Sequence, residues 1–168
     1  MLYLIGFMGV GKSTIGLQLA KQFNLQFIDT DKEIEKKTNK KILDIFKKNG
    51  ENHFRNMESR FIRNIKEKSI IACGGGLPLS NNNMDYIKSK GTCIYLRASE
   101  KTLYNRLKGK INIRPLIYQK SDKDLRLFIK EKLTQREAVY KKADYIINTN
   151  IFTEKEILRE INALPLSF

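Results

Sequence analysis

The chain has 168 residues, 32 basic against 18 acidic side chains, a formal charge of +14 and 41% hydrophobic content. That suffices for one domain burying roughly two-thirds of its unfolded surface without a disulfide or metal staple, and it excludes a disulfide-framed miniprotein, a disordered tail and a multidomain motor. Cys73 and Cys93 form no CxxC pair and His53 is the single histidine, which argues against a zinc cluster, an HExxH site and a histidine-based hydrolytic triad.

In chain order, Met1 to Val10 is apolar but too short to span a bilayer, and it lacks the basic residues that precede a secretory core. The expectation is a soluble cytoplasmic protein. Leu2 to Ile5 reads as a first strand, short and continuously apolar, as strands buried on both faces are. It runs into Gly6-Phe-Met-Gly-Val-Gly11-Lys12-Ser13, which satisfies G-x-x-x-x-G-K-[ST] in the strand-turn-helix context the motif requires. The glycines let the chain wrap a phosphate with its amides inward, the helix that follows adds the positive end of its dipole, Lys12 bridges the β- and γ-phosphates and Ser13 would hold Mg²⁺. A dinucleotide fingerprint fits less well, because Gly9-x-Gly11 continues to Thr14 where a third glycine belongs.

Ile15, Leu19 and Phe23 then recur at helical spacing. Gln26 to Asp29 is a second strand ending in Asp29-Thr-Asp31, two carboxylates that face the same way if strand geometry persists. One can reach a metal's water shell while the other meets an acceptor hydroxyl; alternatively, Asp31 simply favours a helix start. Thr30-Asp-Lys-Glu33 has the form of a capping box. Phe54, Met57, Phe61 and Ile65 mark another helix, on which Arg55 lies one turn from both Glu51 and Glu58, suited to helix ion pairs or to an anion site. A third strand, Ser69 to Cys73, ends in Gly74-Gly75-Gly76 rather than in the acid of a motor or switch nucleotidase. Bare glycine amides there suit close approach of a small ligand, or a turn before Pro78.

The fourth strand is Thr92 to Leu96. Lys108 to Pro115, containing Lys110 and Arg114, is a basic loop between helical stretches, of the kind that closes over phosphates. Arg136 lies in the apolar stripe formed by Ile129, Leu133 and Tyr140, where a guanidinium wants a partner. Tyr145 to Thr149 is the fifth strand, and Thr153-Glu-Lys-Glu156 a second capping box. Strand and helix in alternation predict an α/β fold with a parallel sheet covered by helices on both faces, and ligands at the carboxyl ends of the strands.

Taken together, the phosphate loop, Asp29-Thr-Asp31, Phe54-Arg55-Asn-Met-Glu58, Gly74-Gly75-Gly76, Arg114-Pro115-Leu116, and Arg136 followed by Tyr140 and Ala143 make a chain that resembles the shikimate kinases from Leu2 to about Ile161. The resemblance implies a single three-layer P-loop kinase domain over residues 1–168, like the nucleoside monophosphate kinases, with a five-stranded parallel sheet, shikimate-binding helices within 31–66 and a mobile lid at 108–121. It implies MgATP-dependent phosphorylation of the 3-hydroxyl of shikimate, in aromatic amino-acid biosynthesis. Residue by residue, it implies that Gly9, Val10, Gly11, Lys12, Ser13 and Thr14 cradle ATP, with Arg106 stacked on adenine beside the loop Asn150-Ile-Phe152. Asp31 would orient or deprotonate the hydroxyl. Arg55 and Arg136 would grip the shikimate carboxylate, Glu58 would hold Arg55, and Gly74, Gly75 and Gly76 would border the ring. Ser13 would bind Mg²⁺ directly and Asp29 through water, and Arg114 would reach the transferring phosphoryl group.

Two rivals stand beside this reading. A gluconate or nucleoside monophosphate kinase would use the same scaffold but a different acceptor. A nucleic-acid binder would draw on the +14 charge alone, 23 lysines and nine arginines spread without a recognition motif. The expected assembly is a monomer with no nucleic-acid or membrane partner.

Overall fold

The computed structural model describes residues 1–110, 115–117, 119–150 and 152–166. Its five strands are β1 (Leu2–Ile5), β2 (Gln26–Asp29), β3 (Ser69–Ala72), β4 (Thr92–Arg97) and β5 (Tyr145–Asn148), each within one residue of the sequence expectation. All pair in parallel, in the order β2-β3-β1-β4-β5. The helices are α1 (Lys12–Phe23), α2 (Thr30–Thr38), α3 (Ile42–Asn49), α4 (Glu51–Arg63), α5 (Asn83–Lys90), α6 (Glu100–Leu107), α7 (Asp122–Tyr140) and α8 (Glu154–Asn162). Among the described residues no helix is long and apolar enough to cross a membrane.

The strands alternate between two cores because successive side chains leave opposite faces of the sheet. Leu2 and Leu4 join Ile94, Leu96 and Ile147 beneath α1, α6, α8 and the first half of α7. Tyr3 and Ile5 join Ile28, Ile71, Cys93 and Tyr95 against α4 and α5. Each fully buried aliphatic side chain contributes about 1.5–3 kcal/mol, so the central strand β1, buried over its whole length, anchors the loop that follows it. A third, smaller core of Ile34, Ile45 and Phe54 ties α2, α3 and α4 into one unit, which runs from Thr30 to Arg63.

Helix α7 serves both faces. Leu125, Ile129 and Leu133 belong to one core and Tyr140 to the other, so Arg136 falls where the helix passes the carboxyl ends of the strands.

One cap differs from expectation. The N-cap of α2 is Asp29, whose carboxylate accepts from the Lys32 amide at 3.3 Å, not Thr30. The Thr30 hydroxyl instead accepts from the Gly74 amide at 2.8 Å in a fully buried bond. A buried N–H at the end of β3 has a stronger claim on that oxygen than a helix amide for which a carboxylate stands one residue earlier. The capping box at Thr153 and Glu156 forms as its spacing requires.

Candidate active site

The carboxyl ends of β1, β2 and β3 are adjacent, since Leu4 and Asp29 both pair with Ala72. The loops leaving these three strands therefore meet at one edge, where the strand order switches direction.

After β1 the chain turns through Gly9 at φ +81° and Gly11 at φ +108°, and Gly11 caps α1. This left-handed backbone is open to glycine and turns the free amides at the start of α1 toward one point. Lys12 Nζ donates back to the carbonyls of Gly6 at 2.8 Å and Phe7 at 3.0 Å, bracing the loop. Val10 is buried, and Thr14 is exposed on the first turn. Ser13 Oγ donates to Asp29 Oδ2 at 2.7 Å. Two hard oxygens thus stand together at the mouth of the loop, a donor set suited to Mg²⁺, which takes oxygen ligands and keeps part of its water shell.

Arg106, on the last turn of α6, donates to the Val10 carbonyl at 3.1 Å and to the Thr149 hydroxyl and carbonyl at 3.2 and 2.8 Å. It straps the phosphate loop to the end of β5, on the side expected for adenine.

Beside the phosphate loop lies a cavity of about 100 Å³ bordered by Asp31, Arg55, Glu58, Gly75, Gly76 and Arg136, with apolar walls from Met8, Ile42, Phe46, Phe54 and Leu116. Arg55 donates through Nη1 to Glu58 Oε2 at 2.7 Å and through Nε and Nη2 to Glu51 Oε1 at 3.1 and 2.5 Å. It makes both helix ion pairs and still lies against Gly76, where a Cβ would overlap the guanidinium. Arg136 is buried and sits over the Phe7 ring, 5.5 Å from its centroid. Among the described residues no carboxylate comes within ion-pair distance of it. A buried guanidinium without a protein anion is arranged for a ligand's anion.

Asp31 and Glu58 converge on Gly74. A Cβ there would collide with Asp31 Oδ1 and lie 2.6 Å from Glu58 Oε1, and Glu58 Oε1, fully buried, has no hydrogen-bond partner among the described residues. Burial, with the Asp29 charge adding to it, pushes Asp31 up to about 6 against the pull of Lys12 and Arg55. Burial likewise raises Glu58 to about 7, opposed by Arg55 and assisted by Asp31.

Arg114 lies outside the described residues. Of the stretch expected to form a lid, Lys108–Lys110 and Pro115–Ile117 are single 3₁₀ turns; Leu116 borders the cavity and Ile117 is buried in the core. The structure thus gathers Lys12, Ser13, Asp29, Asp31, Arg55, Glu58, Gly74 to Gly76 and Arg136 at one edge. A wider groove of about 1100 Å³ between α6 and α7 contains none of them.

Sequence reasoning assigned no role to Thr30 in holding Gly74, nor to the apolar walls at Met8, Ile42 and Phe46. For Ile42 and Phe46, one turn apart on α3, the sequence signal is the helical periodicity that any packed face shows, and for Met8, in the turn after β1, there is none.

The shikimate kinase family model matches residues 8–164. A shikimate kinase of Sulfurihydrogenibium sp. (strain YO3AOP1) is 41% identical over 162 residues, covering 95% of this chain and 94% of the relative. Among solved structures, the shikimate kinase of Bacteroides thetaiotaomicron aligns with a TM-score of 0.86 at 29% identity, covering 96% of this chain and 95% of that one. That of Acinetobacter baumannii, solved in complex with shikimate, gives 0.86 at 31% identity over 96% and 89% of the two chains.

Proposed function

The chain belongs to the shikimate kinase family, an enzyme that moves a phosphoryl group from ATP to shikimate, and from that premise we propose how its own residues carry the reaction. The observation that bears most weight is the buried Arg136 facing Arg55 and Asp31 across a small cavity beside the phosphate loop. A ring bearing a carboxylate and hydroxyls satisfies each of these groups at once.

Phosphoryl transfer asks little covalent help of a protein; it requires an in-line hydroxyl and positive charge around the transferring group. The forks of Arg55 and Arg136 match a carboxylate and fix the ring's orientation. The glycines at the end of β3 form a wall without side chains against which the ring rests. Asp31 then receives the hydroxyl. With a pKa near 6 it is ionised at neutral pH yet close enough to take a proton as the new P–O bond forms.

The phosphate-loop amides and Lys12 hold the triphosphate, and Arg106 braces that loop from the nucleotide side. Ser13 would bind Mg²⁺ directly and Asp29 through water, and the ion would neutralise charge between the β- and γ-phosphates. Arg114 is assigned to the transferring phosphoryl group by its place in Arg114-Pro115-Leu116 alone. The described residues among these sit on the loops after β1 and β3, at the end of β2 and on α1, α2, α4, α6 and α7; the reading is of a monomer acting as a single domain, with no nucleic acid or membrane in the reaction.

The test is ADP release in a coupled assay with shikimate, gluconate, nucleoside monophosphates or water as acceptor. Turnover with shikimate alone is expected. A rate with shikimate no higher than with water, beside turnover of another acceptor, overturns the assignment.

A further inference from the structure

The wall of the acceptor cavity is a run of three glycines, and its position depends on what holds its main chain. Hydrogen bonds grip it from three directions. The Gly74 amide donates to the Thr30 hydroxyl at 2.8 Å. The Gly74 and Gly76 carbonyls accept from the Leu77 and Leu79 amides, both at 3.1 Å. The Gly75 carbonyl accepts from the Tyr140 hydroxyl at 2.5 Å.

The third grip differs from the others in coming from the helix that carries Arg136. Tyr140 follows Arg136 by four residues, one turn of α7. Its side chain is fully buried, with the ring against Tyr95 at a centroid separation of 5.0 Å. A Cβ on Gly75 would stand 3.1 Å from Arg136 Nη1 and 3.6 Å from the Tyr140 hydroxyl. Arg136, the hydroxyl and the Gly75 main chain therefore form one continuous contact. Burial raises the phenol to about 12 while the charge and hydrogen bond of Arg136 oppose it, so the phenol stays a donor at every working pH.

We propose that Tyr140 is a positioning residue for the acceptor: by holding the Gly75 carbonyl one helical turn from Arg136, it sets the spacing between the glycine wall and the guanidinium that receives the substrate's carboxylate. The proposal rests on the shikimate reading above and deepens it. The effect is expected on the acceptor side: the phosphate loop has its own bonds from Lys12 and Arg106, and the wall only abuts it at the Gly6 carbonyl, 3.6 Å from where a Gly75 Cβ would stand.

Tyr140→Phe keeps the ring and removes only the hydroxyl. It is expected to raise the KM for shikimate about tenfold, the scale of one lost buried hydrogen bond, with kcat and the KM for ATP within about twofold of wild type. Direct titration with shikimate should show the same loss of affinity. Gly75→Ala is the second variant: its methyl group pushes on the same contact from the other side, and it should raise the shikimate KM without compounding fully with Tyr140→Phe. A Tyr140→Phe enzyme with lowered Tm but unchanged shikimate KM makes the hydroxyl merely structural and overturns the proposal, as does an equal rise in both KM values. If Tyr140→Phe does not fold, a Gly75→Ala enzyme with wild-type shikimate KM overturns it. Wild-type enzyme inactive on shikimate brings down the functional reading as well, whereas active wild type beside an unaffected Tyr140→Phe brings down this inference alone.

Discussion

Replacing Gly74 by alanine tests whether turnover depends on where Asp31 is held. The backbone of Gly74 is not in the left-handed region, so the substitution carries no conformational strain and its effect is steric. The new Cβ would lie 2.6 Å from Glu58 Oε1 and nearer still to Asp31 Oδ1. An ordinary carbon–oxygen contact is about 3.3 Å or more, so both carboxyl oxygens must retreat by about 0.7 Å or more. Displacing a reacting group by about 1 Å costs about 10²-fold in rate, and overpacking costs about 1–3 kcal/mol, which in a domain of this size lowers Tm by about 2–12 °C. Coupled ADP release at saturating shikimate and ATP, with thermal melts on the same samples, reads both. In an Asp31→Asn background the methyl group should cost almost nothing further in kcat, because the group it displaces no longer takes the proton. Wild-type kcat in Gly74→Ala, beside the expected fall in Tm, would refute the placement of Asp31 as the reason for the glycine.

The two arginines should separate by stability. Arg136→Ala removes a buried cation without orphaning a protein carboxylate, so it should raise the KM for shikimate by about 10²-fold or more while Tm holds or rises, whereas Arg55→Ala leaves Glu58 buried and unpaired and should cost about 3–5 kcal/mol in urea unfolding. Asp31 and Glu58, raised to about 6 and about 7, bind protons more tightly folded than unfolded. Their contribution to stability is therefore complete below about pH 4 and is lost as pH climbs through about 6 to 7; the wild-type urea midpoint measured against that of Asp31→Asn should fall across that window, and parallel profiles would contradict it. Arg106→Ala, which frees the Val10 and Thr149 carbonyls, should raise the KM for ATP about tenfold and leave that for shikimate unchanged; the reverse pattern would move Arg106 to the acceptor side.

Much of this protein was legible in the linear order of residues. The five strands, the phosphate loop between β1 and α1, and the arginine within an apolar helical stripe all follow from patterns a few residues long, because backbone hydrogen bonding, side-chain alternation and the amide cradle are local properties. The spacing of Arg55 suits helix ion pairs and an anion site equally; the structure makes both ion pairs and puts the guanidinium at the cavity, since one fork has enough donors to do both.

What only the tertiary structure decided is which groups share a point in space. Thr30 fits a capping box locally, yet its hydroxyl goes to Gly74, 44 residues away, because a buried amide at a strand end needs an acceptor that only chain crossing supplies. The meeting of Asp31 and Glu58 over Gly74, and the bond from Tyr140 to Gly75 across 65 residues, leave no trace in spacing. Local periodicity determines which face of an element is apolar, whereas the shift of a pKa or the width of a cavity is set by the sum of contacts from several elements. Here those contacts depend on the strand order that sets β3 between β2 and β1.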